Sequence, residues 1–222
     1  LNDVTLNSVS NDGNKPVITA DGQNYTFDAV LYATGRRPNT TNIGLENTDI
    51  TTNERGAIVV NDTCESSVPG VYAVGDVNGG PQFTYISLDD FRIVFGALTG
   101  NGHYTLKDRK NIPYTTFLTP PLARVGLTEE DAINKGYTVK TKEMLVATMP
   151  RAHVNDNLKG AFKIVVDAES NLILGATLYS QSAEELINMI KVAMDNNIPY
   201  TYFKNQIFTH PTMAENLNDL CN

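Results

Sequence analysis

Runs of apolar residues in the first half of the chain predict buried strands followed by a helix. The runs at residues 29–33 and 71–74 contain no charged position, which is typical of strands covered on both faces, as in a parallel sheet. Gly35 and Gly75 follow these runs, and glycine lets the backbone approach a ligand at the carboxyl end of a strand. Residues 83–98 carry apolar side chains at helical spacing, so this half is predicted to have an α/β arrangement.

A different pattern begins after the polar connector at residues 107–113, where we place a domain boundary. Strands are predicted at residues 114–118, 122–127, 138–147, 162–167 and 172–179. Thr128 and Ser182 are each expected to start a helix, because their hydroxyl groups can cap one. This order predicts an α+β module with an antiparallel sheet. The helix expected at residues 183–194 is apolar over much of its surface, which fits either the core or a partner subunit.

One stretch near the end of the chain combines a histidine, a proline and a carboxylate. His210 directly precedes Pro211, so it is limited to extended or turn geometry, and the bond between them can be cis. Thr212 is expected to cap a helix, with Glu215 three residues later as in a capping box. A carboxylate beside an imidazole fixes its tautomer, so the pair can form a general acid/base unit. The alternative is a histidine in a structural turn, with Glu215 acting only as a cap.

Composition and charge exclude several functional classes. The chain has 222 residues, of which 41% are hydrophobic and 19% charged, as expected for a globular protein with a sizeable core. Its net charge of −8 argues against nucleic-acid binding, and no apolar run is long enough to span a membrane. Cys64 and Cys221 show no metal-ligand spacing. We therefore expect no metal site, and two reduced thiols in a cytoplasmic protein.

Four motifs occur in a fixed order along the chain. They are ATGRRPN at residues 33–39, YAVGDV at 72–77, ARVGLTE at 123–129, and HPT at 210–212 with Glu215. Together they resemble the C-terminal half of a class I pyridine nucleotide-disulfide oxidoreductase, the flavin-dependent family of glutathione reductase, dihydrolipoamide dehydrogenase and mercuric reductase. The run at residues 206–220 looks most like the branch of reactive-chlorine-resistance reductases, which includes hypothiocyanite reductases.

The resemblance implies a fold and a division into domains. The expected fold is an α/β remnant of the FAD- and NAD(P)-binding domains, followed by an α+β dimerisation domain with an antiparallel sheet. Residues 1–38 would be the tail of the NAD(P)-binding domain and residues 39–111 the C-terminal part of the FAD-binding domain. Residues 112–222 would form the dimerisation domain of a homodimer.

The resemblance also implies a role for each matched position. Asp76, beside Gly75, would hydrogen-bond the ribityl chain of FAD, and Thr84 would lie near the flavin ring. The nicotinamide side of NAD(P)H would be lined by three residues, Gly35, Gln82 and Thr115. His210, oriented by Glu215, would reach across a two-fold interface to serve the redox disulfide of the partner subunit. The substrate would be a small oxidised molecule.

The family's other signature motifs are absent from these 222 residues. Neither a GxGxxG fingerprint nor a CxxxxC redox pair occurs. Cys221 resembles one half of the C-terminal cysteine pair of mercuric reductases, and one half does not make that metal-delivery site. We therefore expect the chain alone to be inactive, and whether it binds FAD or NAD(P)H stays open. Two alternatives are a non-enzymatic dimerisation module and a nucleotide-binding domain that uses Gly35, Gly75 and Asp76 without a phosphate loop.

Overall fold

The computed structural model describes residues 2–222, which form two compact units. The division between them falls between His103 and Tyr104. Among the described residues, no helix is both long and apolar enough to cross a membrane.

The first unit begins with a small antiparallel sheet and ends with a long helix. The sheet has the order β1-β2-β3, from strands β1 (Leu6–Asp12), β2 (Lys15–Ala20) and β3 (Gln23–Thr26). Short 3-10 helices follow at Leu45–Asn47 and Gly75–Asn78, and helix α1 spans Thr84–Thr99. The antiparallel hairpins follow from turn residues between short apolar runs.

The two buried strands predicted in this unit do not form. Residues 29–33 have no regular secondary structure, and the side chains of Leu31 and Tyr32 are 89% and 68% exposed. Residues 71–74 make only an isolated bridge, between Glu65 and Tyr72. A strand needs a neighbour for its backbone N–H and C=O groups, and neither run lies in a sheet of the described residues. Apolar composition therefore predicted strands in two segments that lie outside the sheets of the described residues.

Helix α1 confirms the predicted element but buries a different face. It ends at Gly100, which has φ +68°, the left-handed conformation that glycine adopts readily at a helix end. Its buried side chains are Ile86, Asp90 and Ile93. Of the apolar positions that suggested the helix, Ile86 is buried and Val94 is half-buried, whereas Phe91, Phe95 and Leu98 are exposed.

The second unit is built around a five-stranded antiparallel sheet of order β4-β5-β8-β7-β6. The strands are β4 (Tyr114–Thr116), β5 (Leu122–Gly126), β6 (Val139–Leu145), β7 (Ala161–Asp167) and β8 (Ile173–Tyr179). The helices are α2 (Glu129–Asn134), α3 (Pro150–Val154), α4 (Ala183–Asp195), α5 (Tyr200–Lys204) and α6 (Asn216–Leu220). The predicted α+β arrangement with an antiparallel sheet is confirmed.

One face of this sheet carries the core of the second unit. Helix α4 packs against β8 and β5, and α6 packs against β6 and β7. The fully buried side chains include Phe162, Leu178, Ile190 and Leu217. Most apolar positions of α4 are therefore core, while Met189 and Val192 on its other face remain exposed.

Two of the three predicted helix caps, Thr128 and Ser182, behave differently. Thr128 caps α2 by accepting the amide of Asp131, and the Asp131 carboxylate accepts from Thr128 in return. These bonds stabilise the carboxylate and lower the pKa of Asp131. Ser182 precedes α4 as predicted, but it has φ +65° and makes no side-chain capping bond.

Candidate functional site

The predicted histidine–carboxylate pair forms in the second unit. His210 Nδ1 lies 2.8 Å from Glu215 Oε2, and the His210–Pro211 bond is cis. The two reciprocal bonds expected of a capping box form, because the Thr212 amide donates to Glu215 Oε1 at 3.1 Å and the Glu215 amide donates to Thr212 Oγ1 at 3.2 Å. The prediction that Thr212 caps a helix is wrong, because α6 begins at Asn216 with Glu215 before it and no side-chain cap, so these bonds close a turn that precedes the helix. Glu215 therefore uses one oxygen to hold the turn and the other to hold the imidazole.

This arrangement leaves one ring nitrogen of His210 available. A carboxylate only accepts hydrogen bonds, so Nδ1 donates to Glu215 and Nε2 is the remaining site for proton exchange. The His210 side chain is 70% exposed, whereas that of Glu215 is 18% exposed. Nε2 makes no hydrogen bond to any of residues 2–222. The pair can thus present a general base or acid to a group that approaches from outside the unit.

Two asparagines that the sequence analysis did not select fix this turn to the rest of the unit. Asn216 is buried, and its side-chain amide donates to the carbonyl oxygens of Thr212 and Met213 at 3.2 and 3.1 Å. Asn218 donates to the carbonyl oxygens of Phe203 and Gln206 at 2.6 and 2.9 Å. No sequence signal marks these residues, because asparagine in a short polar segment is common.

The second candidate group, Gly75 and Asp76, lies in the first unit within the 3-10 helix Gly75–Asn78. Gly75 has φ +74°, and a Cβ atom there would lie 2.8 Å from Ser87 Oγ, so the position strongly favours glycine. Its amide donates to Asp90 Oδ2 at 2.7 Å. Asp76 itself is exposed, as a group that binds a ligand hydroxyl must be.

The remaining candidates are not joined to these groups by hydrogen bonds within the described residues. Gly35 has φ +85° and open space around it. Gln82 and Thr84 are exposed at the start of α1. Thr115 is half-buried in β4 of the second unit.

Family models match most of the chain. Residues 2–90 match the model described as pyridine nucleotide-disulphide oxidoreductase, and residues 112–221 match the dimerisation domain of the same group. The chain belongs to the pyridine nucleotide-disulphide oxidoreductase family. The resemblance found from the four motifs is thereby confirmed.

Several characterised members of the family are similar to this chain. The probable pyridine nucleotide-disulfide oxidoreductase RclA of Escherichia coli is 44% identical over 98% of the chain and 50% of the relative. The mercuric reductase of Staphylococcus aureus is 34% identical over 96% of the chain and 40% of the relative. A solved structure, the HOCl-induced flavoprotein disulfide reductase RclA from Escherichia coli, superposes with a TM-score of 0.91 at 43% identity, over 98% of this chain and 50% of that one. The chain thus spans about half the length of the relatives it matches.

Members of the family depend on FAD and use NAD(P)H, and part of this chain suits the polyol portion of FAD. The Asp76 carboxylate is exposed and can accept hydrogen bonds from hydroxyl groups. Gly75, with no room for a Cβ atom, places the backbone against Ser87. No glycine-rich phosphate loop occurs in the sequence, so the fit is to the ribityl part of the cofactor alone.

The structure describes no metal centre. Among residues 2–222, no group of three or more histidine, cysteine, aspartate or glutamate side chains could hold a metal ion. Cys64 and Cys221 are both buried and are not disulfide-bonded.

Cys221 is expected to be an unreactive thiol. Burial raises its pKa from the ordinary 9.0 to about 12, while the positive charge of Lys142 acts in the opposite direction. At pH 8 the thiolate should be about a thousandfold scarcer than for an ordinary thiol. We expect slow reaction with dithionitrobenzoate in the native protein and fast reaction in urea, and the Cys221→Ser variant would identify the signal. A rapidly reacting Cys221 in the native protein would contradict this.

Proposed function

We propose that this chain is the C-terminal part of an FAD-dependent NAD(P)H oxidoreductase that passes electrons through a redox disulfide to a small oxidised substrate. The observation that carries the proposal is the His210–Glu215 pair. Its outer nitrogen is free of hydrogen bonds within the described residues, and it lies in the segment that matches the family's dimerisation domain. In this assignment, residues 1–38 are the tail of the NAD(P)-binding domain and residues 39–111 are the C-terminal part of the FAD-binding domain.

In the proposed reaction, this chain contributes proton transfer and cofactor binding. FAD, when bound, would supply the redox chemistry that links NAD(P)H to the disulfide. His210 exchanges a proton at Nε2 with a thiol of the reduced pair, and Glu215 holds Nδ1 and stabilises the imidazolium form. Asp76 accepts hydrogen bonds from ribityl hydroxyl groups and Thr84 lies beside the flavin. Gly35, Gln82 and Thr115 line the nicotinamide side.

We further propose that the working form is a homodimer assembled through residues 112–222. The exposed position of His210 fits a residue that serves the partner's disulfide. Exposed apolar side chains in this region support an interface, since they would be covered on association. They include Met189, Val192, Tyr202 and Ile207. The acidic charge and the buried thiols fit a cytoplasmic enzyme that does not bind nucleic acid.

The proposal is tested by comparing this chain with the complete reading frame that contains it. The complete protein should hold FAD, seen by its visible absorption, and should oxidise NADH or NADPH with a disulfide as acceptor. The 222-residue chain alone should show no such turnover, because it contains no CxxxxC pair. Turnover by the short chain, or an upstream sequence without GxGxxG and CxxxxC motifs, would overturn the proposal.

A non-enzymatic interaction module is the second candidate. The observation that favours it is the complete core of the second unit, in which Phe162, Leu178 and Leu217 are fully buried. Light scattering coupled to size-exclusion chromatography measures the oligomeric state of the 222-residue chain, and an interaction module of this kind must be at least dimeric. A chain that stays monomeric at high concentration would count against it.

A further inference from the structure

We propose that Asp90 is a positioning residue for the cofactor site, holding the turn Gly75–Asn78 in the shape that presents Asp76 to the ribityl hydroxyl groups of FAD. The inference rests on the proposed function, in which Asp76 binds that chain. Asp90 lies outside all four motifs found in the sequence. It belongs to helix α1, one turn beyond Ile86.

The first step is the burial of this carboxylate. Asp90 is 0% exposed, and Oδ2 accepts two hydrogen bonds, from the Gly75 amide at 2.7 Å and from Asn78 Nδ2 at 2.9 Å. A buried carboxylate without partners is costly, whereas bonds to a charged acceptor are strong. Both donors lie in the turn that carries Asp76, so the burial of Asp90 stabilises one conformation of that turn.

Asn78 connects the Asp90 carboxylate by hydrogen bonds to the backbone on both sides of the turn. Its side-chain amide also donates to the Ala73 carbonyl at 3.3 Å, and its Oδ1 accepts from the Gly80 amide at 3.0 Å. The side chain of Asn78 therefore links the residues before and after the turn, and Asp90 fixes that side chain in place.

Further contacts leave the backbone around Asp76 little freedom. Gly75 packs against Ser87 of α1, the Ile58 amide donates to the Val77 carbonyl at 2.9 Å, and the Gly79 amide donates to the Asp76 carbonyl at 3.2 Å. The Asp76 carboxylate, in contrast, is exposed and has no hydrogen bond to any described residue. A fixed backbone with an unoccupied acceptor is what preorganised binding of a polyol requires.

The neighbouring acid provides a matched control. Asp89 precedes Asp90 in the same helix, and it lies 3.8 Å from Arg92 in an ion pair whose arginine is largely exposed. Asp89→Asn and Asp90→Asn make the same chemical change one residue apart, and Asp90 is bonded to the Gly75 amide and the Asn78 side chain of the turn.

The test measures FAD affinity of the complete protein by flavin fluorescence, together with the thermal stability of the apoprotein. Asp90→Asn should weaken FAD binding at least tenfold, and Asp89→Asn should leave it within twofold. The exchange Asn78→Asp with Asp90→Asn restores a carboxylate–amide pair, so it should recover part of the affinity. In the 222-residue chain, the Gly75 amide should exchange hydrogen faster in Asp90→Asn than in Asp89→Asn.

The outcomes separate the inference from the proposed function. If Asp76→Asn leaves FAD affinity unchanged, the assignment of Asp76 fails. If Asp76→Asn weakens binding while Asp90→Asn matches Asp89→Asn, Asp90 is not a positioning residue. Loss of apoprotein stability in Asp90→Asn with unchanged FAD affinity would also overturn the inference. If Asp90→Asn does not fold, the Asn78→Ala variant tests the proposal instead. It should weaken FAD binding several-fold, and an unchanged FAD affinity would contradict the proposal.

Discussion

Replacing His210 with glutamine in the complete protein is expected to lower turnover by about 10²- to 10⁴-fold while FAD stays bound, the range typical of losing a general acid or base. Glutamine keeps the size and polarity of the side chain but cannot exchange a proton at neutral pH. Because the ring of His210 is exposed and its hydrogen bond to Glu215 is its one side-chain bond within the described residues, the substitution should leave the fold intact. Steady-state oxidation of NADH or NADPH with a disulfide acceptor measures the effect.

Two further variants make the His210 result specific. His153→Gln is the matched control, because His153 is also exposed and its ring makes a single hydrogen bond within the described residues, to the Ala147 carbonyl at 2.8 Å. Its turnover should stay within twofold of the unaltered protein. Glu215→Gln should lower turnover by less than His210→Gln, since the imidazole remains. Wild-type turnover in His210→Gln, with the flavin content unchanged, would remove the pair from the proposed reaction.

Replacing Gly160 with alanine is expected to destabilise the second unit more than an ordinary core substitution. Gly160 has φ +123°, and a Cβ atom there would lie 1.7 Å from the carbonyl oxygen of Tyr179. Tyr179 pairs with Ala161 between β8 and β7, so the clash falls on paired backbone that cannot move aside cheaply. We expect a loss of more than about 4 kcal/mol in the free energy of unfolding, or failure to fold.

The Gly136→Ala variant measures the cost of a left-handed backbone conformation at a position where alanine causes no steric clash. Gly136 has φ +86° with nothing within 4 Å of a Cβ atom, so Gly136→Ala should cost only about 1–2 kcal/mol. Urea unfolding followed by circular dichroism suits the comparison, because the chain contains no tryptophan. Equal shifts in the two midpoints would show that the contact with Tyr179 is relieved by movement of the sheet.

The sequence predicts the second unit well because its patterns and their partners lie in the same segment. Each strand from β4 to β8 finds its neighbour within residues 114–179, so apolar runs and turn residues were sufficient. The segments at 29–33 and 71–74 carry equally clear apolar runs, yet the first pairs with no strand of the described residues and the second is joined only by the isolated bridge between Glu65 and Tyr72. An apolar run therefore predicts that a segment favours a buried strand, but it does not show whether a neighbouring strand is available for pairing.

The candidate site likewise contains one contact that the sequence predicts and others that it does not. His210 and Glu215 are five residues apart with a proline turn between them, close enough in sequence for their contact to be predicted. Asp90 lies 15 residues from Gly75 and 12 from Asn78, and only the folding of α1 against the turn brings them together. An aspartate inside an apolar helix is a weak signal, because one exposed acid on a helix surface is ordinary.

The double anchoring of Asn218 has a consequence for association. By bonding the carbonyl oxygens of Phe203 and Gln206, this side chain closes the segment from α5 to α6 into a loop whose two ends are tied together. The conformational entropy of the segment is therefore lost when the unit folds, not when a partner arrives. In the proposed homodimer, an approaching subunit would therefore meet an imidazole that is already oriented, and association would not incur the entropic cost of ordering it.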